Sequence, residues 1–182
     1  MKYALIYGSL AGLVIISVMV TGIAFSGQDS FFSSMLFGYS VMLVAMTFMF
    51  VGVKRYRDIE CGGVIRFWPA LKMGLAIAVV SALGYILVWE IYLAATGYRF
   101  MDEYLAAMAR DLAAAGRSPA EVAREMEGYE WMRINYSNPL VRVPMTFLEI
   151  FPIGLIAALF SAAVLRNPKI LPATQAAPAR EV

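Results

Sequence analysis

The fold is decided above all by residues 71–95, which read LKMGLAIAVVSALGYILVWEIYLAA. Only Lys72, near the start, and Glu90, near the end, are charged. A helix of about 20 apolar residues crosses the roughly 30 Å hydrocarbon core of a bilayer. Because lipid offers no hydrogen bonds to a bare backbone, such a run has to be helical. We therefore predict a transmembrane helix over these residues.

Three further runs have the same character. They are residues 3–25 and 31–53, which contain no charge, and residues 144–165, which contain only Glu149. Together with the first run, they predict an all-α integral membrane protein with four transmembrane helices. We expect residues 1–165 to form a single membrane domain.

The composition of the 182 residues agrees with this class, since 61% are hydrophobic and only 15% are charged. Soluble domains carry about 25% charged residues, and one of this size could not bury so much apolar side chain. The composition excludes a disordered chain, a collagen, a disulfide scaffold and a nucleic-acid-binding protein. We therefore expect no nucleic acid among the partners.

Several common catalytic groups are missing from the sequence. The chain has no histidine, and Cys61 is its single cysteine. Histidine is a frequent general base and the commonest metal ligand, and one thiol cannot form an internal redox pair. The phosphate-binding loop, the dinucleotide fingerprint and the nucleophile elbow are absent too. We expect no enzyme activity, no catalytic residue, no cofactor and no bound metal.

The charged residues between the apolar runs predict the orientation. The second loop has a basic excess, whereas the third, residues 96–143, holds six arginines against seven acids. Basic segments remain in the cytoplasm. We therefore expect the second loop and both termini to be cytoplasmic and the third loop to be outside.

The third loop has the pattern of a helical hairpin over about residues 99–137. Gly116 is typical of a helix C-terminus, and Ser118 with Glu121 matches a capping box, which is a strong helix start. We predict an extramembrane helical hairpin between the third and fourth spans, with its second helix starting at Pro119.

The two helices of this hairpin are expected at about residues 101–115 and 119–132. Residues 166–182 have a different composition, with frequent alanine and proline and a basic excess. Such a segment cannot bury enough apolar surface to fold. We predict a disordered cytoplasmic tail there.

Four short motifs stand out, namely GYSVM at 38–42, VGVKRYRD at 51–58, GGVIRF at 62–67 and KMG at 72–74. With these motifs the chain resembles a bacterial membrane family called domain of unknown function 4199, over about residues 1–165. The resemblance implies four helical spans in a bacterial membrane. It implies no activity, and no catalytic residue is carried over from it.

The second loop is the first candidate site. Its members are basic residues around a glycine pair: Lys54, Arg55, Arg57, Gly62, Gly63, Arg66 and Lys72. A glycine pair permits a tight turn with exposed amides, and such amides can hold a phosphate with the help of arginines. Basic residues beside a membrane also attract anionic lipid. A third interpretation is that they only set topology, with Asp58 paired to a neighbouring arginine.

Glu90 and Glu149 form the second candidate site. Each lies about 7–8 Å inside the outer end of its span, which puts the two at matching depth. Because an ionised carboxylate is costly in lipid, we expect both to face the bundle interior, which is the arrangement of a possible cation- or proton-binding site. The alternatives are hydrogen bonds or ion pairs with neighbours: Tyr85, Tyr92, Tyr98, Arg99 or Arg142.

Gly8 and Gly12 form a GxxxG pattern in the first apolar run. Small residues at this spacing permit the close approach of two helices. Of the two uses of such a face, we favour packing within the chain over dimerisation.

These patterns favour a non-enzymatic membrane protein that interacts with lipid or with another protein. The alternative is a small transporter or permeation subunit that uses Glu90 and Glu149. The expected partners are membrane lipids, together with a second copy of the chain or another membrane protein. A continuous polar path across the bundle would favour transport.

Overall fold

The computed structural model describes residues 1–25 and 35–173, and it describes their side chains except at 19–25, 35–39 and 42–43. In these residues there are seven helices and no strand. The helices are α1 (Lys2–Phe25), α2 (Met35–Glu60), α3 (Phe67–Ala95), α4 (Phe100–Ala114), α5 (Pro119–Glu127), α6 (Glu130–Asn135) and α7 (Pro139–Leu165). The predicted all-α class is confirmed for the described residues.

Two helices, α3 and α7, are long and apolar enough to cross a bilayer, judged over the described residues. Lys2–Val18 is a shorter apolar helical stretch. The predicted first loop, 26–30, and the start of the predicted second span, 31–34, lie outside the described residues. Two of the four predicted spans therefore have this support, which rests on length and composition.

The surface of α3 carries a stripe of large apolar side chains. Leu83, Leu87 and Ile91 are spaced by four residues, so they share one face, and they are 56%, 62% and 60% exposed. On α7, Leu148, Ile156 and Phe160 are similarly exposed. Soluble monomers rarely show such contiguous apolar surface, which favours apolar surroundings for both helices.

The chain divides into two compact units. The first unit consists of the described residues of Met1–Tyr85 and Ile150–Val182, and the second unit is Ile86–Glu149. The boundaries fall inside α3 and inside α7.

In the first unit, α1 packs closely on α3 through the predicted small-residue face. A Cβ added at Gly8 would lie 2.6 Å from Val80 Cβ, and one added at Gly12 would lie 3.4 Å from the Ser81 carbonyl oxygen. The Ser81 hydroxyl also donates a hydrogen bond of 2.9 Å to the Gly8 carbonyl. Packing of the GxxxG face within the chain is confirmed.

A second close contact of the first unit joins α3 to α7. A Cβ added at Gly74 would lie 2.8 Å from Ala158 Cβ, and one added at Gly154 would lie 2.8 Å from Ala78 Cβ. The two backbones therefore approach with only small side chains between them, the usual geometry of close helix pairs in membranes. This contact is continuous with the core, where Ile77 is fully buried.

In the second unit, the turn between α4 and α5 has the predicted caps. Gly116 has φ +84°, and the amides of Gly116 and Arg117 bond to Ala113 and Leu112, which is a Schellman motif. Ser118 and Glu121 form the predicted capping box, with Pro119 as the first helical residue. The sequence pattern therefore placed this turn correctly.

The structure differs from the prediction after α5. A single helix was expected over 119–132, but α5 ends at Glu127 and α6 begins at Glu130. The amides of Gly128 and Tyr129 bond to carbonyls three residues back, which tightens the backbone and interrupts the α-helical pattern.

Candidate functional site

Several helix ends of the first unit meet at one place. The Lys2 ammonium at the start of α1 lies 2.8 Å from Glu60 Oε1 at the end of α2. The Tyr3 hydroxyl donates to the same oxygen at 3.1 Å. These contacts tie the N-terminal end of α1 to the C-terminal end of α2, and α3 starts only seven residues later in the chain.

Arg57, in the last turn of α2, brings in the end of α7. Its side chain is fully buried. Its guanidinium donates to the carbonyls of Ile170, at 3.0 Å, Leu171, and Leu165, at 3.5 Å. A cation is favourable beside the last carbonyls of a helix, so Arg57 caps α7 and holds the segment that follows it. Residues 166–173 thus have a defined path, although they belong to the predicted disordered tail.

Asp58 balances the charge of Arg57. It accepts hydrogen bonds from Arg57 Nε at 2.7 Å and from Lys54 Nζ at 2.5 Å. Burial alone would raise the pKa of this carboxyl, but the two hydrogen bonds outweigh burial and hold the pKa below its usual value. Asp58 is therefore ionised at neutral pH, as the interpretation of an arginine pair expected.

The glycine pair makes the turn after α2 but leaves few backbone amides free to bind an anion. Gly62 and Gly63 have φ of +62° and +85°, a region that favours glycine. The Gly63 amide is not free, because it donates to the Arg57 carbonyl at 3.0 Å. Gly63 is buried, whereas Gly62 is exposed.

Exposed cations remain around these helix ends. Their side chains have no ion pair or hydrogen bond within the described residues, and they are Arg55, Arg66, Lys72, Arg166 and Lys169. We call this set the basic end. It keeps three residues of the predicted set, whereas Lys54 and Arg57 are engaged with Asp58 and with backbone carbonyls. The prediction left out Arg166 and Lys169, although a basic excess after the last apolar run was visible.

In the second unit, Glu90 is held by a buried arginine. Arg142 Nε donates to Glu90 Oε1 at 2.8 Å and Nη2 donates to Oε2 at 2.6 Å. Arg142 is 1% exposed, and its Nη1 also donates to the carbonyls of Tyr136 and Ser137 at 2.7 and 3.1 Å. This two-point geometry is the strong form of an arginine–carboxylate pair.

Aromatic rings surround this ion pair. The guanidinium carbon of Arg142 lies 4.9 Å from the centre of the Tyr98 ring and 5.8 Å from that of Tyr136. Trp89 Nε1 donates a hydrogen bond to the Tyr136 hydroxyl at 3.0 Å. The rings of Phe100 and Trp89 pack edge to face, with their centres 4.7 Å apart. Burial raises the pKa of Tyr136, so its hydroxyl stays protonated. The rings cover part of the pair, and the lower local polarity strengthens it.

The two predicted carboxylates therefore have different surroundings. Both oxygens of Glu90 are used by Arg142, which is one of the alternatives that the sequence left open. Glu149 is exposed on α7, and no hydrogen bond or ion pair joins it to Glu90 in the described part of the chain. The cation or proton site stays a prediction, and the geometry of Glu90 and Arg142 is that of a structural clamp.

Residues 1–25 and 35–173 contain no group of three or more His, Cys, Asp or Glu side chains placed to hold a metal ion. The polar cluster of the second unit contains the ion pair of Glu90 with Arg142. The polar cluster of the first unit contains the exposed cations of the basic end.

Over the described residues the protein is all-helical, with two long apolar helices and two polar clusters around the buried Arg57 and Arg142. The family model "Protein of unknown function (DUF4199)" matches residues 2–167, and the chain belongs to this family. The family resemblance seen in the motifs of residues 38–74 is thereby confirmed. No curated protein and no solved structure matches the chain.

Proposed function

We propose that the chain is a non-enzymatic inner-membrane protein with four spans, formed by α1, α2, α3 and α7, and that its basic end binds anionic lipid headgroups. In this proposal the basic end, the start of α1 and the end of α7 lie on the cytoplasmic side, and α4–α6 lie outside.

The observation that carries the proposal is the surplus of unpaired cations at one end of the first unit. The acids nearest to them are already used, since Glu60 pairs with Lys2 and Asp58 with Arg57 and Lys54. Each Lys or Arg beside an anionic leaflet contributes about 1 kcal/mol of attraction. Trp68, which is 67% exposed at the start of α3, supplies the kind of aromatic anchor found at membrane interfaces.

We favour lipid binding over transport because of Glu90. A carboxylate that binds a transported cation has to offer free oxygens, and both oxygens of Glu90 accept hydrogen bonds from Arg142. The proposed partners are accordingly membrane lipids, with oligomerisation or a protein partner as a further expectation from the sequence.

The proposal is tested by thermal unfolding of the purified chain in neutral detergent, with added phosphatidylglycerol or phosphatidylcholine. We expect phosphatidylglycerol to raise the melting temperature more, and high salt to reduce the difference because it screens exposed charges. The triple variant Arg55→Gln, Arg66→Gln, Lys72→Gln should lose most of the difference.

A matched control removes three exposed cations of the second unit instead, with Arg110→Gln, Arg117→Gln and Arg124→Gln. This control should keep the preference for phosphatidylglycerol. Equal shifts with the two lipids in the wild-type protein would refute the proposal, as would equal losses in both triple variants.

A further inference from the structure

Ser161, near the end of α7, has an unusual hydroxyl. The side chain is 1% exposed, and its Oγ has no hydrogen-bond partner among the residues that the structure describes. Leaving a buried hydroxyl unpaired is unfavourable, so such a group points to a partner of another molecule. Ser161 is one of the residues that line a cavity of about 270 Å³ between α2 and α7.

The walls of this cavity are otherwise apolar or small. From α2 come Met46, Thr47 and Phe50, and from α7 come Ala157, Phe160 and Ser161. Phe50 and Phe160 contact each other with ring centres 6.3 Å apart. Phe160 is 59% exposed, so the cavity is open at the side of the helix pair, where lipid would lie in the proposed membrane arrangement.

A second apolar cavity, of about 70 Å³, lies next to the first, with walls from α1, α2, α3 and α7. It shares Met46 and Ala157 with the first cavity and reaches Ile150 at its far end. Ser161 and Ile150 are eleven residues apart on one helix, which corresponds to about 17 Å. That length is about half of the roughly 30 Å hydrocarbon core, so it matches one leaflet.

We call the two cavities together the cleft. Two cations lie just beyond its Ser161 end. Arg166 follows Ser161 by five residues, and Arg55 follows Phe50 by five residues on α2. Both side chains belong to the basic end and are exposed without a partner in the described residues. Along the helices the order is therefore cation, hydroxyl, apolar cleft.

We propose that the cleft between α2 and α7 binds one acyl chain of a single phospholipid, whose ester carbonyl accepts a hydrogen bond from Ser161 Oγ and whose phosphate lies near Arg166 and Arg55. The order of charge, hydrogen-bond donor and apolar length in the cleft is the order of phosphate, ester and acyl chain in the lipid. The inference rests on the proposed lipid contact and turns a general attraction into a site for one molecule.

The test is native mass spectrometry of the full chain in detergent, titrated with phosphatidylglycerol. The wild-type protein should retain one lipid. Loss of one hydrogen bond, in Ser161→Ala, should weaken retention about fivefold. Ala157→Leu places extra volume where both cavities meet, and it should abolish retention. Its control is Ala163→Leu, at an exposed position of the same helix, which should bind like the wild type.

Two smaller probes separate the parts of the ligand. Lysophosphatidylglycerol has one chain and should compete for the site, whereas glycerol phosphate has none and should not. The acyl-chain site would be overturned if glycerol phosphate competed and lysophosphatidylglycerol did not. It would also be overturned if the wild type and Ser161→Ala retained phosphatidylglycerol equally well. That result would leave the preference for anionic lipid, measured by thermal unfolding, untouched.

A failure of the proposed preference for anionic lipid would give a different result from a failure of the cleft site. If one molecule of phosphatidylcholine is retained as tightly as phosphatidylglycerol, and Ser161→Ala weakens both, the cleft site holds. The proposed preference for anionic headgroups would then be wrong.

Discussion

Arg57 is the residue on which the first unit depends most directly, because a buried guanidinium joins the end of α2 to the last carbonyl of α7 and to two carbonyls after it. Arg57→Met should leave those carbonyls unpaired and Asp58 with Lys54 as its remaining partner, and it should lower the free energy of unfolding by about 3 kcal/mol. Chemical denaturation in detergent measures this change. Arg55→Met, at an exposed neighbouring position, should have little effect, and a similar loss in both variants would contradict the role of Arg57.

The pair of Glu90 and Arg142 predicts a coupling that Glu149 should not share. Arg142→Met and Glu90→Gln should each lower the free energy of unfolding. The loss in the double variant should be smaller than the sum of the two single losses by about 0.5–3 kcal/mol, since either change alone breaks the pair. Glu149→Gln should leave stability unchanged or raise it, because it removes a charge from an apolar helix.

The same denaturation series tests the transport alternative for these carboxylates. A stabilisation by protons or sodium that is present in the wild type and lost in Glu90→Gln and Glu149→Gln would support a cation site. Its absence, with the coupling to Arg142 intact, agrees with the clamp.

At the residue scale, the sequence showed which side chains are charged but not which are buried. The second predicted span ended at residue 53, so Arg57 was placed in a loop. In the structure α2 continues to Glu60, and Arg57 follows Met49 and Val53 at a spacing of four on the buried face. That spacing was visible in the sequence and could have separated Arg57 from Arg55.

Among the helices, the contact of α3 with α7 gives a prediction with a control on the same helix. Gly74→Ala puts a methyl group within 3.0 Å of the Ala158 Cα, and backbone atoms cannot move aside cheaply. We expect a loss of about 1–3 kcal/mol in the free energy of unfolding. Gly84→Ala has open space around the new methyl group and should be neutral or slightly stabilising, as alanine favours helix.

The start of α5 gives a second prediction at this scale. Ser118→Ala removes the hydroxyl that caps the Glu121 amide, which typically costs about 1 kcal/mol. Amide hydrogen exchange should speed up over Pro119–Glu127 and remain unchanged in α3 and α7. Ser137→Ala, which removes an exposed hydroxyl bonded to the Ile134 carbonyl, should not have this effect. Rapid exchange of α5 already in the wild type would contradict an ordered helix.

Helix ends were predictable where local chemistry sets them. The turn at Gly116–Ser118 depends on a positive φ and on a capping box, both of which are encoded within a few residues. The separation of α5 from α6 was missed because the glycine at 128 has an ordinary helical φ of −62°. Tertiary context, which a local pattern does not contain, decides such an interruption.

For the whole molecule, the proposed orientation predicts which positions a membrane-impermeant maleimide reaches in intact cells. On a Cys61→Ser background, Ser118→Cys should be labelled from outside because α4–α6 are proposed to lie there. Arg66→Cys should be labelled only after the membrane is permeabilised. The reverse pattern would refute the orientation and with it the cytoplasmic position of the basic end.

The all-α class of the described residues followed from the length and apolarity of runs such as residues 71–95. The polar interior did not follow, because Arg57 and Arg142 find partners far away in the chain: Glu90 is 52 residues from Arg142, and Ile170 is 113 residues from Arg57. Pairing over such separations depends on how the helices pack. A charge pattern in the sequence shows only which charged residues are close together along the chain.

The long reach of Arg57 has a consequence for the order of events during synthesis. Two of the carbonyls that accept hydrogen bonds from its guanidinium belong to Ile170 and Leu171, 113 and 114 residues downstream. A ribosome delivers α2 well before it delivers them, so in every nascent chain shorter than this the guanidinium of Arg57 waits without its final acceptors. A chain interrupted before residue 170 therefore keeps the pair of Arg57 with Asp58 but lacks the carbonyls of Ile170 and Leu171, so this part of the first unit reaches its final structure only after residue 171 has been synthesised.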